Sequence, residues 1–340
     1  MNTLAKSMAL APFNLLYKIS PEACLKVLFR LKQGYKLDLD NPRTFSEKIQ
    51  WIKLNDRNPL MPRCADKFEV RGYVEECGCG CYLNELLWHG SDPEQIPFDE
   101  LPERYVIKAT HGSTFNVIND GTRPINRTRV VSQLHKWLAT DFLPCYGEWF
   151  YGRQGGIEPS IVVERYLEGD PQRGLDDYKV FVMNGKACLV LVCTGRTNGS
   201  HCEDIYDLDW NHIVDVDMGE PKSGLEIPRP ECLGEMISVA ETLASPFACA
   251  RVDFFLGESL IFGEITFTSG SGFDRLHPRA FDLELGDMLR LPYEDSAASR
   301  GATLGDEQYH QERPACVVQS ALQSEPQSQV TDPAPDEVGI

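Results

Sequence analysis

Apolar residues in the first quarter of the chain recur at three- and four-residue spacing, which predicts helices. Residues 1 to about 35 read as helical, with Ser20 placed to cap a segment that opens on Pro21 and Glu22. Asn41-Pro42-Arg43-Thr44 reads as a turn, after which Thr44 or Ser46 caps a helix carrying Ile49, Trp51, Ile52 and Leu54. Residues 66–76 form another helical run, ending near Gly78 and Gly80. The period then changes. Residues 105–108 and 117–118 are short β-rich runs joined by a polar loop. Residues 128–143 return to helix, with Val131, Leu134, Leu138 and Phe142 on one face, and residues 160–164 read as a strand. Residues 178–184 and 186–193 flank Asn184-Gly185, the strongest short hairpin signal. A helix over 231–243 precedes a second hairpin, residues 251–256 and 260–266. The expected class is α+β, with antiparallel sheets flanked by helices.

At 340 residues the chain suits two or three lobes around one cleft. An N-terminal helical region spans 1–60, a catalytic region 61–293, and an acidic tail 294–340. The tail is poor in apolar residues and is expected to be disordered. The formal net charge of -18 argues against nucleic acid as a partner, because phosphate neutralisation needs basic surface. It argues equally against a polybasic membrane surface. The first 31 residues lack a continuous apolar core and a cleavage site. No stretch reaches the ~18 apolar residues of a span, so no stable membrane insertion is expected. A helix packed on the body is favoured there over an interfacial one. The twelve cysteines are scattered, apart from Cys77, Cys79 and Cys81, and their spacing does not match a zinc finger. They read as reduced thiols of a cytoplasmic protein.

Three segments carry candidate chemistry. In the last hairpin, a turn centred on Glu258-Ser259 sets Asp253 opposite Glu264, Arg251 opposite Thr266 and Phe255 opposite Phe262. Strand alternation then gathers Arg251, Asp253, Glu264 and Thr266 on one side, and Val252, Phe254 and Ile265 on the other. Two directly opposed carboxylates, Cβ atoms roughly 5 Å apart, repel and call for a cation. Mg2+ fits, as a hard ion taking oxygen ligands and phosphates; the alternative is that Arg251 neutralises both acids. In the second segment, Lys108 at a strand end precedes His111-Gly112-Ser113, a small polar loop whose N–H groups can cradle phosphate. In the third, an apolar strand runs into Glu164-Arg165-Tyr166-Leu167, able to offer backbone groups to an adenine and a carboxylate to a ribose, with Lys179 a second cation on the next hairpin.

In order, these segments resemble the ATP-grasp superfamily and, within it, the teichuronopeptide-biosynthesis (TupA-like) branch. The blocks are NPRTFSEKIQWIKLNDRNPL, ADKFEVRGYV, VIKATHGS, DYKVFVMNGK and RVDFFLGESLIFGEITFTSGSGF, over about residues 30–290. The resemblance implies a fold with the nucleotide between two lobes, about 100–170 carrying the phosphate loop and adenine hinge and about 171–293 the metal-binding lobe. It implies ATP and Mg2+ as cofactors. Lys67, Lys108 and the His111-Gly112-Ser113 loop would contact phosphates, and Glu164, Arg165, Tyr166 and Leu167 would form the adenine hinge. Lys179 would face the phosphates or an acyl phosphate, Asp253 and Glu264 would hold Mg2+, and Arg251 would stabilise transition-state charge. Thr266 stands where the family usually has an Asn ligand, and the phosphate loop has a single glycine. The implied function is a carboxylate–amine ligase joining a carboxylate, such as a uronic acid, to an amine, such as an amino acid, in cell-surface polysaccharide biosynthesis. A glycosyltransferase or kinase-like enzyme on the same scaffold is the alternative.

Deleting the tail after residue 294 is expected to leave the thermal midpoint unchanged, since the tail lacks the apolar content to offset its ordering entropy. A large drop on truncation would reveal a docked element.

Overall fold

The computed structural model describes residues 3–141, 144–169, 174–195 and 201–292; the acidic tail, Phe142 and Leu143 lie outside them. Helices α1 (Thr3–Ile19) and α2 (Pro21–Gln33) open the chain, and the Ser20 hydroxyl accepts from the Ala23 N–H as the cap of α2. Helix α3 (Phe45–Asn55) starts with a full capping box. The Thr44 hydroxyl accepts from Glu47 N at 3.1 Å, and the Glu47 carboxylate accepts from Thr44 N at 3.1 Å. The expected helix over 66–76 is shorter, α5 (Glu69–Glu76), because Asp66 turns its carboxylate onto the N–H groups of Phe68 and Glu69. A short helix, α4 (Leu60–Ala65), precedes it.

Strands β1 (Leu86–Gly90), β2 (Tyr105–Ala109), β3 (Asn116–Asn119) and β4 (Ile161–Arg165) form an antiparallel sheet in the order β1-β4-β2-β3. Helix α6 (Arg127–Leu138) covers it, burying Val130 and Leu134 against Ile107 and Val163. The second sheet is larger. Strands β5 (Asp176–Met183), β6 (Lys186–Thr194), β7 (Cys202–Tyr206), β8 (Cys249–Leu256) and β9 (Leu260–Thr266) run antiparallel in the order β7-β6-β5-β8-β9. Asn184 and Gly185, with φ of 50° and 76°, make the tight β5–β6 turn.

Both faces of the larger sheet are covered. Val180, Val190, Val252, Phe254 and Ile265 pack with α7 (Leu233–Ala244). Phe181, Met183, Leu189 and Leu191 pack with α3 and α8 (Arg279–Met288). On this second face β5 changes character along its length, from Met183 and Phe181 to Lys179 and Asp177.

The β8–β9 register departs from the expected one in a single place. Asp253 faces Glu264 and Arg251 faces Thr266, but Phe254 pairs with Phe262 and Phe255 with Ile261. Gly263 is the extra residue of a β-bulge, where a Cβ would lie 3.0 Å from the Asp253 carbonyl. A straight hairpin would put Phe262 on the charged face beside Glu264. The bulge flips its parity, so Phe254 and Phe262 both enter the core.

Helix α3 also braces the turn Ser269–Gly272 that follows β9. Gln50 donates to the Gly272 carbonyl at 2.7 Å, and Lys53 Nζ donates to the carbonyls of Ser271 and Tyr146, each at 2.7 Å. Burial brings Lys53 down to about 7, with the Glu148 carboxylate working against that shift. Glu148 accepts from the hydroxyls of Thr268 and Ser271.

Thr44→Ala is expected to lower unfolding free energy by about 1–2 kcal/mol, because the cap is wholly buried. Thr44→Ser should restore most of it in a urea titration; equal losses in both would deny the capping role.

Candidate functional site

The β8–β9 hairpin and β5 aim their charges at one cleft, whose other wall is β2 and the loop after it. The cavity, about 480 Å3, is lined by Lys67, Lys108, Ser113, Lys179, Asp253 and Glu264 among others. A second cavity of about 550 Å3 adjoins it, lined by Arg165, Tyr166, Leu167 and Ile261. Phe255 lines both, from the same face of β8 as Asp253.

Asp253 is the hub. It is buried, and its Oδ1 accepts from Arg251 Nε at 2.8 Å. Its Oδ2 accepts from Arg251 NH2 at 2.8 Å and from Lys179 Nζ. Lys179 also meets Asp177 at 2.8 Å. Burial disfavours the Lys179 cation, but Asp253 and Asp177 more than offset it and raise its pKa. Arg251 shows the same balance, burial opposed chiefly by Asp253, and is held more firmly protonated than usual. Its other contacts are Ser269 Oγ at 2.8 Å, Thr266 Oγ1 at 3.3 Å and, more loosely, Glu264 at 3.9 Å.

Glu264 is the open carboxylate, with its side chain 44% exposed. Desolvation works to raise its pKa; Lys67, Lys179 and Arg251, with the Thr266 hydroxyl, overcome it and bring it down to about 2. The Thr266 hydroxyl donates to Glu264 Oε1 at 3.2 Å. Lys67 Nζ donates to the Gly112 carbonyl at 2.9 Å and stands 3.8 Å from Glu264.

Asp253, Glu264 and Thr266 thus form an all-oxygen donor set on one face, suited to a hard cation. Glu264 is its accessible member. Asp253 holds the closest contacts to protein cations, while Lys67 at 3.8 Å and Arg251 at 3.9 Å also stand by Glu264, so both acids have cationic neighbours.

Not every expected residue faces the cleft. The His111 ring is buried, with Nε2 3.0 Å from the Thr140 carbonyl and the ring edge against Phe115. Burial lowers its pKa, partly offset by that carbonyl. Glu164 sits inside β4, its backbone paired with β1 and β2. Its carboxylate meets Lys108 at 2.6 Å and Arg71 at 3.3 Å, so Lys108 is held by an acid of its own sheet. Arg165 pairs with Glu85 at the second cavity, which Tyr166 and Leu167 also line.

Several lining residues had not been singled out, Asp177, Phe255 and His201 among them. Alternation along β5 from Lys179 signals Asp177, and alternation along β8 from Asp253 signals Phe255. His201, 3.2 Å from Glu203 and grouped with Cys193, needs the β6–β7 pairing.

Residues 47–290 match the family model described as TupA-like ATPgrasp. Among solved structures, the chain is similar to D-alanine–D-alanine ligase from Bacillus anthracis complexed with ATP, at 17% identity over 70% of this chain and 68% of that one, TM-score 0.41. It is similar to D-alanine–D-alanine ligase from Helicobacter pylori, at 11% over 72% and 69%, TM-score 0.39. It is also similar to the ATP-grasp ligase PsnB complexed with minimal precursor, at 13% over 65% and 59%, TM-score 0.35. No curated protein matches the chain.

A carboxylate whose folded pKa is depressed stabilises the fold above its unfolded pKa and loses that contribution as pH falls through the folded value. Glu264→Gln should therefore be slightly destabilising at neutral pH, well under about 1 kcal/mol because the group is half-exposed. The gap in urea midpoint should close between about pH 5 and about pH 2. A gap that widens on acidification would contradict the assignment.

Proposed function

The chain belongs to the TupA-like ATP-grasp family, and from that membership and the cleft's chemistry we propose that it is an ATP-dependent carboxylate–amine ligase working through an acyl phosphate. The observation that carries this reading is the convergence of Lys67, Lys108, Lys179 and Arg251 with Asp253 and Glu264 on one cavity. A polyphosphate meets cations there, and a divalent ion meets oxygen donors.

In this reading the base of ATP lies by Tyr166, Leu167 and Phe255, and its phosphates run toward Lys108 and Lys179. Lys67 and Ser113 close over them from the loop side. Bound Mg2+ would be held by Glu264 and Asp253, with Thr266 beside them, and would neutralise β- and γ-phosphate charge. Lys179 and Arg251 present fixed positive charge where the carboxylate oxygen attacks the γ-phosphorus and ADP leaves. Arg251 then faces the charge that develops as the amine displaces phosphate. The low dielectric around this buried pair makes its charge count for more than it would in water. Glu164 keeps Lys108 extended along its sheet, a positioning role. A uronic acid as the carboxylate and an amino acid as the amine, in cell-surface polysaccharide biosynthesis, are the substrates suggested by the branch alone.

Lys108→Ala and Lys179→Ala are each expected to weaken ATP binding at least about tenfold, the value of ~1.4 kcal/mol of lost phosphate contact. Calorimetric affinity equal to wild type in both would sink the phosphate assignment. With a productive substrate pair, Glu264→Gln should cut turnover by about 100-fold or more while shifting the thermal midpoint little. AMP and pyrophosphate, rather than ADP and phosphate, would exclude the acyl-phosphate route.

A further inference from the structure

The net charge of -18 conceals a segregation. Residues 1–36 contain six lysines and arginines and one acid, Glu22, so the other 304 residues hold 27 basic and 50 acidic ones. The cationic stretch is α1 and α2. It also carries four of the eight large apolar side chains exposed among the described residues: Leu15 at 64%, Ile19 at 75%, Val27 at 43% and Leu31 at 62%.

The exposed residues are not scattered. Leu15 and Ile19 lie one turn apart on α1, and Val27 and Leu31 one turn apart on α2, so each pair shares a face. The inner face of α2 is fully employed, with Cys24, Leu25, Leu28 and Phe29 packed around Cys145 and Phe273. The outer apolar residues therefore owe nothing to the core. Exposed cations flank them: Lys18 beside Ile19, and Arg30 one turn from Val27.

We propose that the outer face of α1 and α2 docks this protein on an anionic lipid surface. Leu15, Ile19, Val27 and Leu31 enter the headgroup boundary, and Lys18 and Arg30 pair with lipid phosphates. Apolar residues bordered by lysine and arginine are the composition that binds at such an interface. Concentrating net positive charge in these helices of an otherwise acidic protein orients the approach, because the rest of the molecule is on balance repelled by the same surface. No helix among the described residues is long and apolar enough to cross a membrane, and the contact proposed is with the surface only. A second copy fits less well, since two such faces would bring like charges together. The acidic tail has charge to match but little apolar content to cover four aliphatic side chains.

The test is co-sedimentation of the full chain with large unilamellar vesicles. Binding to vesicles of equal phosphatidylglycerol and phosphatidylcholine should exceed binding to pure phosphatidylcholine at least about tenfold, and fall in high salt. Combining Leu15→Ser, Ile19→Ser, Val27→Ser and Leu31→Ser should reduce it at least about tenfold with thermal midpoint and ATP affinity unchanged. Lys18→Glu with Arg30→Glu should abolish the anionic preference, an independent check should the first variant misfold. Failure of the full chain to bind overturns the proposal, as does binding indifferent to both variants. Binding only after residues 294–340 are removed assigns the face to the tail. Dimerisation lost with the serine substitutions assigns it to a second copy. Either outcome also overturns the proposal.

Discussion

One carboxylate organises the cleft. Asp253, buried in the middle of a five-stranded sheet, is shared by Arg251 and Lys179. None of the three would be tolerated there alone, since an unpaired buried charge costs several kcal/mol (~3–5 when one partner of a pair is removed). Together they satisfy one another. Because Asp253 fixes two donors of Arg251, the third is aimed at Ser269, just beyond β9. The turn containing Ser269 is in turn braced by Lys53 and Gln50 of α3. The charge arrangement at the cleft and the packing of the helices behind it are thus one connected structure, joined through backbone carbonyls.

The larger sheet makes this possible by using a single face for two purposes. On β5, Phe181 and Met183 pack under α3 and α8, while Lys179 and Asp177, continuing the same alternation, meet the cleft. Where a helix covers the face, the residues are apolar. Where the cleft lies over it, the side chains are charged, with Lys179 meeting Asp177 beside it and Asp253 on β8. Where α7 packs on it the opposite face is apolar, so the charged end rests on a packed support. This two-sheet, helix-covered α+β arrangement is the fold expected of the family to which residues 47–290 belong.

Much of this was legible in residue order, for identifiable reasons. The Asn184-Gly185 turn and the opposition of Asp253 to Glu264 follow from local rules, period two and turn chemistry, that tertiary context did not override. The capping of α2 by Ser20 and of α3 by Thr44 was equally local. The Gly263 bulge was not legible. A glycine in a strand is compatible with a straight or a bulged register, and only the need to bury Phe262 decides between them. Strands β1 and β7 and helix α8 were missed because their patterns are short and their burial depends on distant partners. The orientation of the His111 ring was not legible either. Its place in a polar loop suggested phosphate contact, yet the ring turns inward to Phe115 and the Thr140 carbonyl, contacts that local pattern cannot reveal.

Lys67 spans the gap between the two walls of the cleft, anchored to the Gly112 carbonyl on one side and facing Glu264 at 3.8 Å on the other. With Glu264 half-exposed, such a pair contributes only about 0–1 kcal/mol. It works as a weak latch. Across this part of the cleft the attraction is comparable to thermal energy, so in the proposed function Lys67 can be handed to a nucleotide at little cost. A phosphate arriving between them gives Lys67 a stronger partner than the one it leaves. In the proposed ligase, the contact across the cleft would thus be exchanged for one to the bound nucleotide.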